Sequence, residues 1–185
     1  TRFLRAPLQA EQESETEFFD LWCGFGGASC GAALAGLKVR YAVDWCEKAL
    51  SVHQHNHPNA EHVCAELPHG VKVPWPTDGR AFHVHGSPPC TMLSSNADPV
   101  VRAEVLVVER KRVLSYVSWF LETVLQVAPL RWSMEEVAAP LLLRLLRGRK
   151  RSDRRIDFDV FHFDTLGVPQ SRRRVIAGPP VLVER

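Results

Sequence analysis

The chain has 185 residues, of which 45% are hydrophobic and 24% are charged, and its formal net charge is +2. This length allows one substantial core, and the composition excludes a collagen, a coiled coil and a wholly disordered chain. The small net charge does not by itself indicate nucleic acid. Basic residues cluster at 147–155 and 172–174, and such a run fits either a solvated loop or a phosphate-binding face.

The five cysteines, at positions 23, 30, 46, 64 and 90, all lie in the first half, and none forms a Cys-x-x-Cys pair. This spacing fits neither a disulfide framework nor a zinc ligand set, so no metal is expected. It indicates an intracellular, reducing compartment: the nucleus in a eukaryote, or the cytoplasm or nucleoid in a prokaryote or virus. We find no apolar run long enough to cross a bilayer and no secretory signal, so no membrane contact is expected.

The first half of the chain alternates between strand and helix patterns. Residues 1–16 are polar and aperiodic and are predicted to be a mobile lead-in. The patterns that follow predict a buried strand (17–22), a glycine-rich turn, a small helix (28–37), a strand (38–44), a helix (47–56) and a short strand within 61–67. An irregular segment rich in proline and glycine (68–80) leads to a fourth strand (81–85).

The second half continues this alternation. Apolar residues at helical spacing predict a long amphipathic helix over 102–127. The patterns after it predict a strand (131–135), a helix opened by Pro140 (141–147), a basic loop (147–155) and two last strands (156–163 and 173–177). This order predicts one α/β domain over 17–185, with a doubly wound, mostly parallel sheet.

Two prolines and a cysteine, Pro88-Pro89-Cys90, follow the fourth predicted strand. Because proline cannot continue a hydrogen-bonded ladder, the strand should end here and present Cys90 at its carboxyl end. Open α/β sheets bind ligands at that edge, so Cys90 is a candidate nucleophile. The alternative is a small buried hydrophobic residue, which is a common role for free cysteine.

The segment Asp20-Leu21-Trp22-Cys23-Gly24-Phe25-Gly26-Gly27 ends the first strand and begins the first helix. Its glycines allow a ligand to approach the backbone, and the helix start offers free N–H groups. The dinucleotide fingerprint matches poorly. Asp44, about 20 residues further on at the end of the second strand, can bind two ribose hydroxyls. These features suit an adenosine cofactor without a pyrophosphate, and a purely structural turn is the alternative.

Three other features carry charge or titratable groups. Glu135 ends a predicted strand at the same sheet edge as Cys90, and its neighbour Glu136 should point to the opposite face. Arg172 and Arg174 alternate with a third arginine and should share a face. The histidines at 53, 55, 57 and 62 match no metal-ligand pattern and are interpreted as a solvated helix end before a proline.

Taken together and in order, these motifs resemble the cytosine-5 DNA methyltransferase family. They are Asp-x-x-x-Gly-x-Gly-Gly, Asp-Trp, Gly-Ser-Pro-Pro-Cys, Glu-x-Val and Gly-Val-Pro-Gln-x-Arg-x-Arg, and they cover residues 17–178. The resemblance implies a Rossmann-like sheet with an antiparallel last strand. It also implies S-adenosylmethionine as the cofactor and cytosine in DNA as the substrate.

The resemblance implies a role for each matching residue. Cys90 would attack C6 of cytosine, Glu135 would hydrogen-bond N3 and the amino group, and Arg172 and Arg174 would help to anchor the base. The cofactor would be bound by Asp20, Trp22, Gly24, Phe25, Gly26, Gly27, Asp44, Trp45, Glu66 and Pro88. Within that set, the glycine turn would surround the methionine part, Asp44 would hold the ribose and Trp45 would pack on adenine. Glu66, where the family usually has Asp, would face the adenine amino group.

The sequence departs from the family at two positions near the cysteine. Glu136 replaces the usual Asn, and its carboxylate would add negative charge that weakens thiolate formation. Thr91 replaces the usual Gln, and the stretch 91–102 is short for the family's lid. No target-recognition domain is visible. Three alternatives follow: a second polypeptide supplies recognition, the enzyme is minimal, or the chain is a non-catalytic regulatory or scaffold subunit. RNA is the alternative substrate.

Overall fold

A computed structural model of the protein describes residues 16–90, 103–167 and 169–180. Most of the predicted lead-in, together with Thr91 and the stretch to residue 102, lies outside these residues. Thr16, the last residue of the predicted lead-in, is buried, and its carbonyl accepts a hydrogen bond from the Lys38 amide. The described residues divide into two compact units: 16–87 with 123–132, and 88–90, 103–122, 133–167 and 169–180.

The first unit contains the parallel strands. In chain order its elements are β1 (Glu17–Leu21), α1 (Gly27–Leu34), β2 (Lys38–Asp44), α2 (Glu47–Asn56), β3 (Glu61–Cys64) and β4 (Phe82–Gly86). The strand order is β3-β2-β1-β4, and every pair is parallel. Because β1 lies inside this order, all its residues are buried, as expected for a strand covered on both faces. Parallel pairing brings the carboxyl ends of β1, β2 and β4 to one edge.

The second unit contains the antiparallel pairs. Two elements have residues in both units, namely α3 (Ala103–Val127) and β5 (Arg131–Val137). The elements that follow are α4 (Pro140–Ser152), β6 (Asp157–His162), a short 3-10 helix (Phe163–Leu166) and β7 (Arg173–Gly178). β7 pairs antiparallel with both β5 and β6. Its register places Arg174 opposite Val137 and Ile176 opposite Glu135.

The predicted fold class is confirmed: the seven strands form a mixed α/β sheet, mostly parallel, with an antiparallel last strand. The predicted basic loop is wrong over 147–152, because α4 continues to Ser152 and only the last three residues of the predicted loop follow the helix. Leu142, Leu143 and Leu146 are buried along one side of this helix. Long basic side chains are good helix formers, and cations in the last turn are stabilised by the helix dipole. In the described part of the chain, no helix is both long and apolar enough to span a membrane.

Candidate active site

The turn after β1 in the first unit has left-handed backbone at three positions. Trp22 has φ 57°, Gly24 has φ 51° and Gly26 has φ 93°. The conformation suits the two glycines, but it is uncommon for a bulky residue such as Trp22, whose side chain is buried. Gly26 is the N-cap of α1, and its carbonyl accepts a hydrogen bond from the Cys30 amide. The turn therefore reverses the chain sharply from strand to helix.

Asp44, at the end of β2, holds this turn in place. Its Oδ2 accepts a hydrogen bond from the Gly24 amide at 2.9 Å, and its Oδ1 accepts one from the Cys46 amide at 2.8 Å. The structure thus brings together two parts of the predicted cofactor site that lie 20 residues apart. Each carboxylate oxygen has a further lone pair, so the group can still accept hydrogen bonds from a diol.

The surface around this turn is open and aromatic. Phe25 and Trp45 are 69% and 65% exposed. A Cβ added to Gly24 or Gly27 would meet no heavy atom within 4 Å. Glu66 is also exposed, in the segment after β3. A flat ring of a ligand that packs on these exposed aromatic side chains would remove apolar surface from water, which favours binding.

Asp20 places a carboxylate behind the turn. Its side chain is 1% exposed, and its Oδ2 accepts a hydrogen bond from the Ser29 hydroxyl at 2.6 Å. Its Oδ1 is buried and has no hydrogen-bond partner among the described residues. An unpaired buried carboxylate oxygen is costly, and a cationic donor would relieve that cost. The ammonium group of S-adenosylmethionine is such a donor, so these residues fit the implied cofactor.

The interpretation of the histidines as a solvated helix end is wrong for His53, which is fully buried on α2. Its Nε2 lies 2.9 Å from the Ser29 hydroxyl, and its Nδ1 lies 2.9 Å from Nε2 of His62 on β3. Only His55 is exposed as expected. Among the residues that the structure describes, no group of three or more His, Cys, Asp or Glu side chains is arranged to hold a metal ion.

The second unit contains the predicted catalytic residues. Oε1 of Glu135 lies 2.8 Å from Nε of Arg174 and 3.2 Å from Nη2 of Arg172. Both arginines reach one carboxylate, so they share a face as the alternation predicts. Cys90 is half-buried, and Pro88, the remaining predicted cofactor contact, is buried nearby in the chain. Positively charged groups and a hydrogen-bonding carboxylate are thereby assembled in the unit that contains the candidate nucleophile.

Glu136 is fully buried beside the partly exposed Glu135, as alternation along β5 requires. Its Oε2 accepts a hydrogen bond from the Val137 amide at 2.7 Å, and its Oε1 has no partner within the described ranges. Burial raises the pKa of Glu136 to about 8, with a smaller contribution from the charge of Glu135. The site therefore contains a carboxyl group that stays protonated at neutral pH.

The environment of Cys90 disfavours the thiolate. Burial raises the pKa of the Cys90 thiol above its ordinary value, and the carboxylates of Glu136 and Glu135 raise it further. The guanidinium of Arg174 opposes these effects but does not outweigh them. The weakening expected from Glu136 therefore acts where that carboxyl is ionised, above its pKa of about 8. Although Glu135 and Glu136 differ in burial, both act electrostatically on Cys90.

Two features of the site are not predictable from the sequence. His53, His62 and Ser29 meet only because of how α1, α2 and β3 pack. The one local signal is the spacing of His53 and His57, four residues apart on one helix face. The complete burial of Glu136 depends on residues distant in the chain.

Comparison with known proteins agrees with these observations. Residues 16–98 match the family model described as C-5 cytosine-specific DNA methylase. No curated protein matches the chain.

Several solved structures share the fold. A DNA modification methyltransferase encoded within an E. coli prophage is 24% identical with a TM-score of 0.64, over 89% of this chain and 46% of that one. A mutant DNMT2 from Spodoptera frugiperda is 22% identical (TM-score 0.56; 88% and 49% covered). The Dnmt2 methyltransferase of S. pombe is 16% identical (TM-score 0.55; 92% and 50% covered). The chain spans about half the length of these three proteins.

Proposed function

We propose that this chain, whose residues 16–98 match the family model described as C-5 cytosine-specific DNA methylase, transfers a methyl group from S-adenosylmethionine to C5 of cytosine in DNA. The observation that carries the proposal is the assembly of Cys90, Glu135, Arg172 and Arg174 in one unit. This unit thus contains a candidate nucleophile, a carboxylate that could hydrogen-bond the cytosine ring, and two positively charged side chains. A second polypeptide that supplies target recognition is part of the proposal.

The residues of the first unit would bind the cofactor. Asp20 would accept a hydrogen bond from its ammonium group, the glycine turn would surround its methionine part, and Asp44 would accept hydrogen bonds from the ribose hydroxyls. The exposed ring of Trp45 would pack on adenine, and Glu66 would face the adenine amino group. Trp22 would complete this part of the pocket, and the family resemblance also assigns a cofactor contact to Pro88. When bound, S-adenosylmethionine supplies an electrophilic methyl group on a sulfonium.

Cys90 would make the cytosine ring reactive. Its thiolate forms a bond to C6, and the electron pair of the C5–C6 double bond becomes available at C5. C5 would then bond to the methyl carbon as the bond from that carbon to the sulfonium sulfur breaks, and S-adenosylhomocysteine would leave. Loss of the C5 proton to water and cleavage of the bond between C6 and sulfur restore the aromatic ring and the free Cys90. A base inside a duplex cannot be reached in this way, so it must be flipped out.

Glu135 and its arginines would orient the base. The Glu135 carboxylate accepts a hydrogen bond from the exocyclic amino group, and a second one from N3 when that nitrogen is protonated. Arg172 and Arg174 hold the carboxylate in a defined position. Arg174 also favours the Cys90 thiolate, because its charge lowers the pKa of the thiol.

The direct test is a covalent trap with DNA that contains 5-fluorocytosine. Fluorine cannot leave C5 as a proton does, so the adduct with Cys90 accumulates after methyl transfer. We expect an adduct that survives denaturation and is absent in Cys90→Ala. The assay should be run with DNA and RNA, and with and without candidate partner proteins. If wild type and Cys90→Ala are equally inert under all these conditions, the enzymatic proposal is wrong.

A non-catalytic regulatory or scaffold role is the second candidate, and Glu136 is the observation that favours it. The buried carboxyl raises the pKa of Cys90, and above its own pKa of about 8 its negative charge reduces the supply of thiolate. A protein that only binds a partner or DNA would not be harmed by this. Formation of the 5-fluorocytosine adduct would eliminate this candidate, because the adduct requires a working nucleophile.

A further inference from the structure

A continuous line of hydrogen bonds runs behind the glycine turn of the first unit. It begins at Asp20 on β1, passes through Ser29 on α1 and His53 on α2, and ends at His62 on β3. Its three links measure 2.6, 2.9 and 2.9 Å. Asp20, Ser29 and His53 are almost inaccessible to solvent. Buried polar groups joined in this way hold one another in a single arrangement.

The chemistry of these groups determines the direction of the inner links. A carboxylate only accepts, so the single hydroxyl proton of Ser29 is donated to Asp20. The Ser29 oxygen must then accept from His53, which places a proton on His53 Nε2. Asp20 Oδ2 lies 3.9 Å from this nitrogen, so the N–H group of the imidazole also attracts the carboxylate electrostatically. His53 thus determines which way the Ser29 hydroxyl points.

His53 also supports the turn by direct packing. A Cβ added to Gly26 would lie 2.9 Å from Cδ2 of His53, so the imidazole ring packs against the backbone at that point. Both ring nitrogens are engaged, and His57 lies beside the ring with centroids 4.9 Å apart. The ring therefore has little freedom to move. One side chain contacts the glycine turn and, through Ser29, the carboxylate of Asp20.

We propose that His53 is a positioning residue for cofactor binding, which acts through Ser29 to aim the free oxygen of Asp20 at the ammonium group of the cofactor. This inference rests on the proposed function, because it requires that S-adenosylmethionine binds at the turn. An apolar side chain of similar size would fill the same space but would leave the Ser29 oxygen without its donor. Ser29 could then rotate and release Asp20 from its present orientation.

The test compares ligands with and without the ammonium group by isothermal titration calorimetry. S-adenosylhomocysteine contains the amino-acid part, whereas 5′-methylthioadenosine lacks it. We expect His53→Met to weaken S-adenosylhomocysteine binding by about tenfold or more, the usual effect of losing an aligned bond to a charged group. Binding of 5′-methylthioadenosine should change less than about twofold. His53→Gln, whose amide can donate to Ser29, should restore most of the affinity.

Two further variants keep the inference falsifiable. His55→Gln changes an exposed histidine on the same helix and should leave both affinities unchanged. Ser29→Ala breaks the link without altering His53, so it should reproduce the ligand-selective loss even if His53→Met does not fold. Equal losses for both ligands would show a merely structural role and overturn the inference. If wild type binds neither ligand, the proposed function fails as well.

Discussion

Nε of Arg174 lies 2.8 Å from Oε1 of Glu135, across the antiparallel pair of β7 and β5. This contact joins the two groups with opposite effects on Cys90: the carboxylate raises the pKa of the thiol and the guanidinium lowers it. Any change to one partner therefore alters both the position of Glu135 and the reactivity of Cys90.

Arg174→Gln should make Cys90 less reactive. Without the guanidinium, the charge of Glu135 is no longer balanced, and the pKa of Cys90 should rise further. We expect the rate of iodoacetamide modification at pH 8.5 to fall several-fold, measured on the Cys90 peptide by mass spectrometry. Arg173→Gln is the matched control, because Arg173 is adjacent and exposed. An equal effect of both substitutions would contradict the assignment.

Glu136→Gln should make Cys90 more reactive. The pKa of Glu136 is about 8, whereas burial raises the pKa of the Cys90 thiol above its ordinary value, so Glu136 ionises before the thiol does. Removing that negative charge should lower the pKa of Cys90 and shift its alkylation profile to lower pH. The amide oxygen of Gln can still accept the Val137 hydrogen bond. A profile that does not move would show that Glu136 has no effect on the thiol.

The same substitution should change how stability depends on pH. The pKa of Glu136 is raised from 4.5 to about 8 on folding, so between these values the folded state keeps a proton that the unfolded state has lost. Wild type therefore loses stability as pH rises through this window, by up to about 1.4 kcal/mol for each pH unit.

Glu136→Gln should remove that decline. In urea unfolding, the free energy of unfolding of the variant should exceed that of wild type at pH 8. The two should differ little at pH 5. Glu47→Gln, which removes an exposed carboxyl, should not produce this pattern. A gain that is the same at both pH values would mean that the pKa of Glu136 is not raised in the folded protein.

Gly26→Ala should destabilise the first unit. The left-handed backbone costs a residue with a Cβ about 1–2 kcal/mol, and the new methyl group would press on the ring of His53. That ring cannot move without breaking its hydrogen bonds to Ser29 and His62.

Gly27→Ala is the control for this prediction. Gly27 is the first residue of α1, has no positive φ and faces open space. Alanine there should be neutral or slightly stabilising. The free energy of unfolding in urea checks both variants, and equal stability of the two would contradict the steric argument.

Most of the fold could be predicted because it is encoded in local periodicity. The alternation of strands and helices and the ends of β2 and α2 follow from apolar spacing and from Pro58 after the helix. The last turns of α4 are not predicted, because a run of basic residues favours a loop in the sequence. The apolar residues of α4 end at Leu146, just before that run begins, so no periodic signal marks the last turns.

The sequence by itself determined which chemical groups come to the ends of the strands. The prolines after β4 and the glycines after β1 restrict only the backbone next to them. The positions of Cys90, Asp44 and the turn could therefore be predicted from the sequence alone. Only the tertiary structure decided how those groups behave. The protonated Glu136, the disfavoured Cys90 thiolate and the line from Asp20 to His62 depend on burial and on short distances between residues far apart in the chain. Electrostatic energies vary with exactly those two quantities, and no local pattern records them.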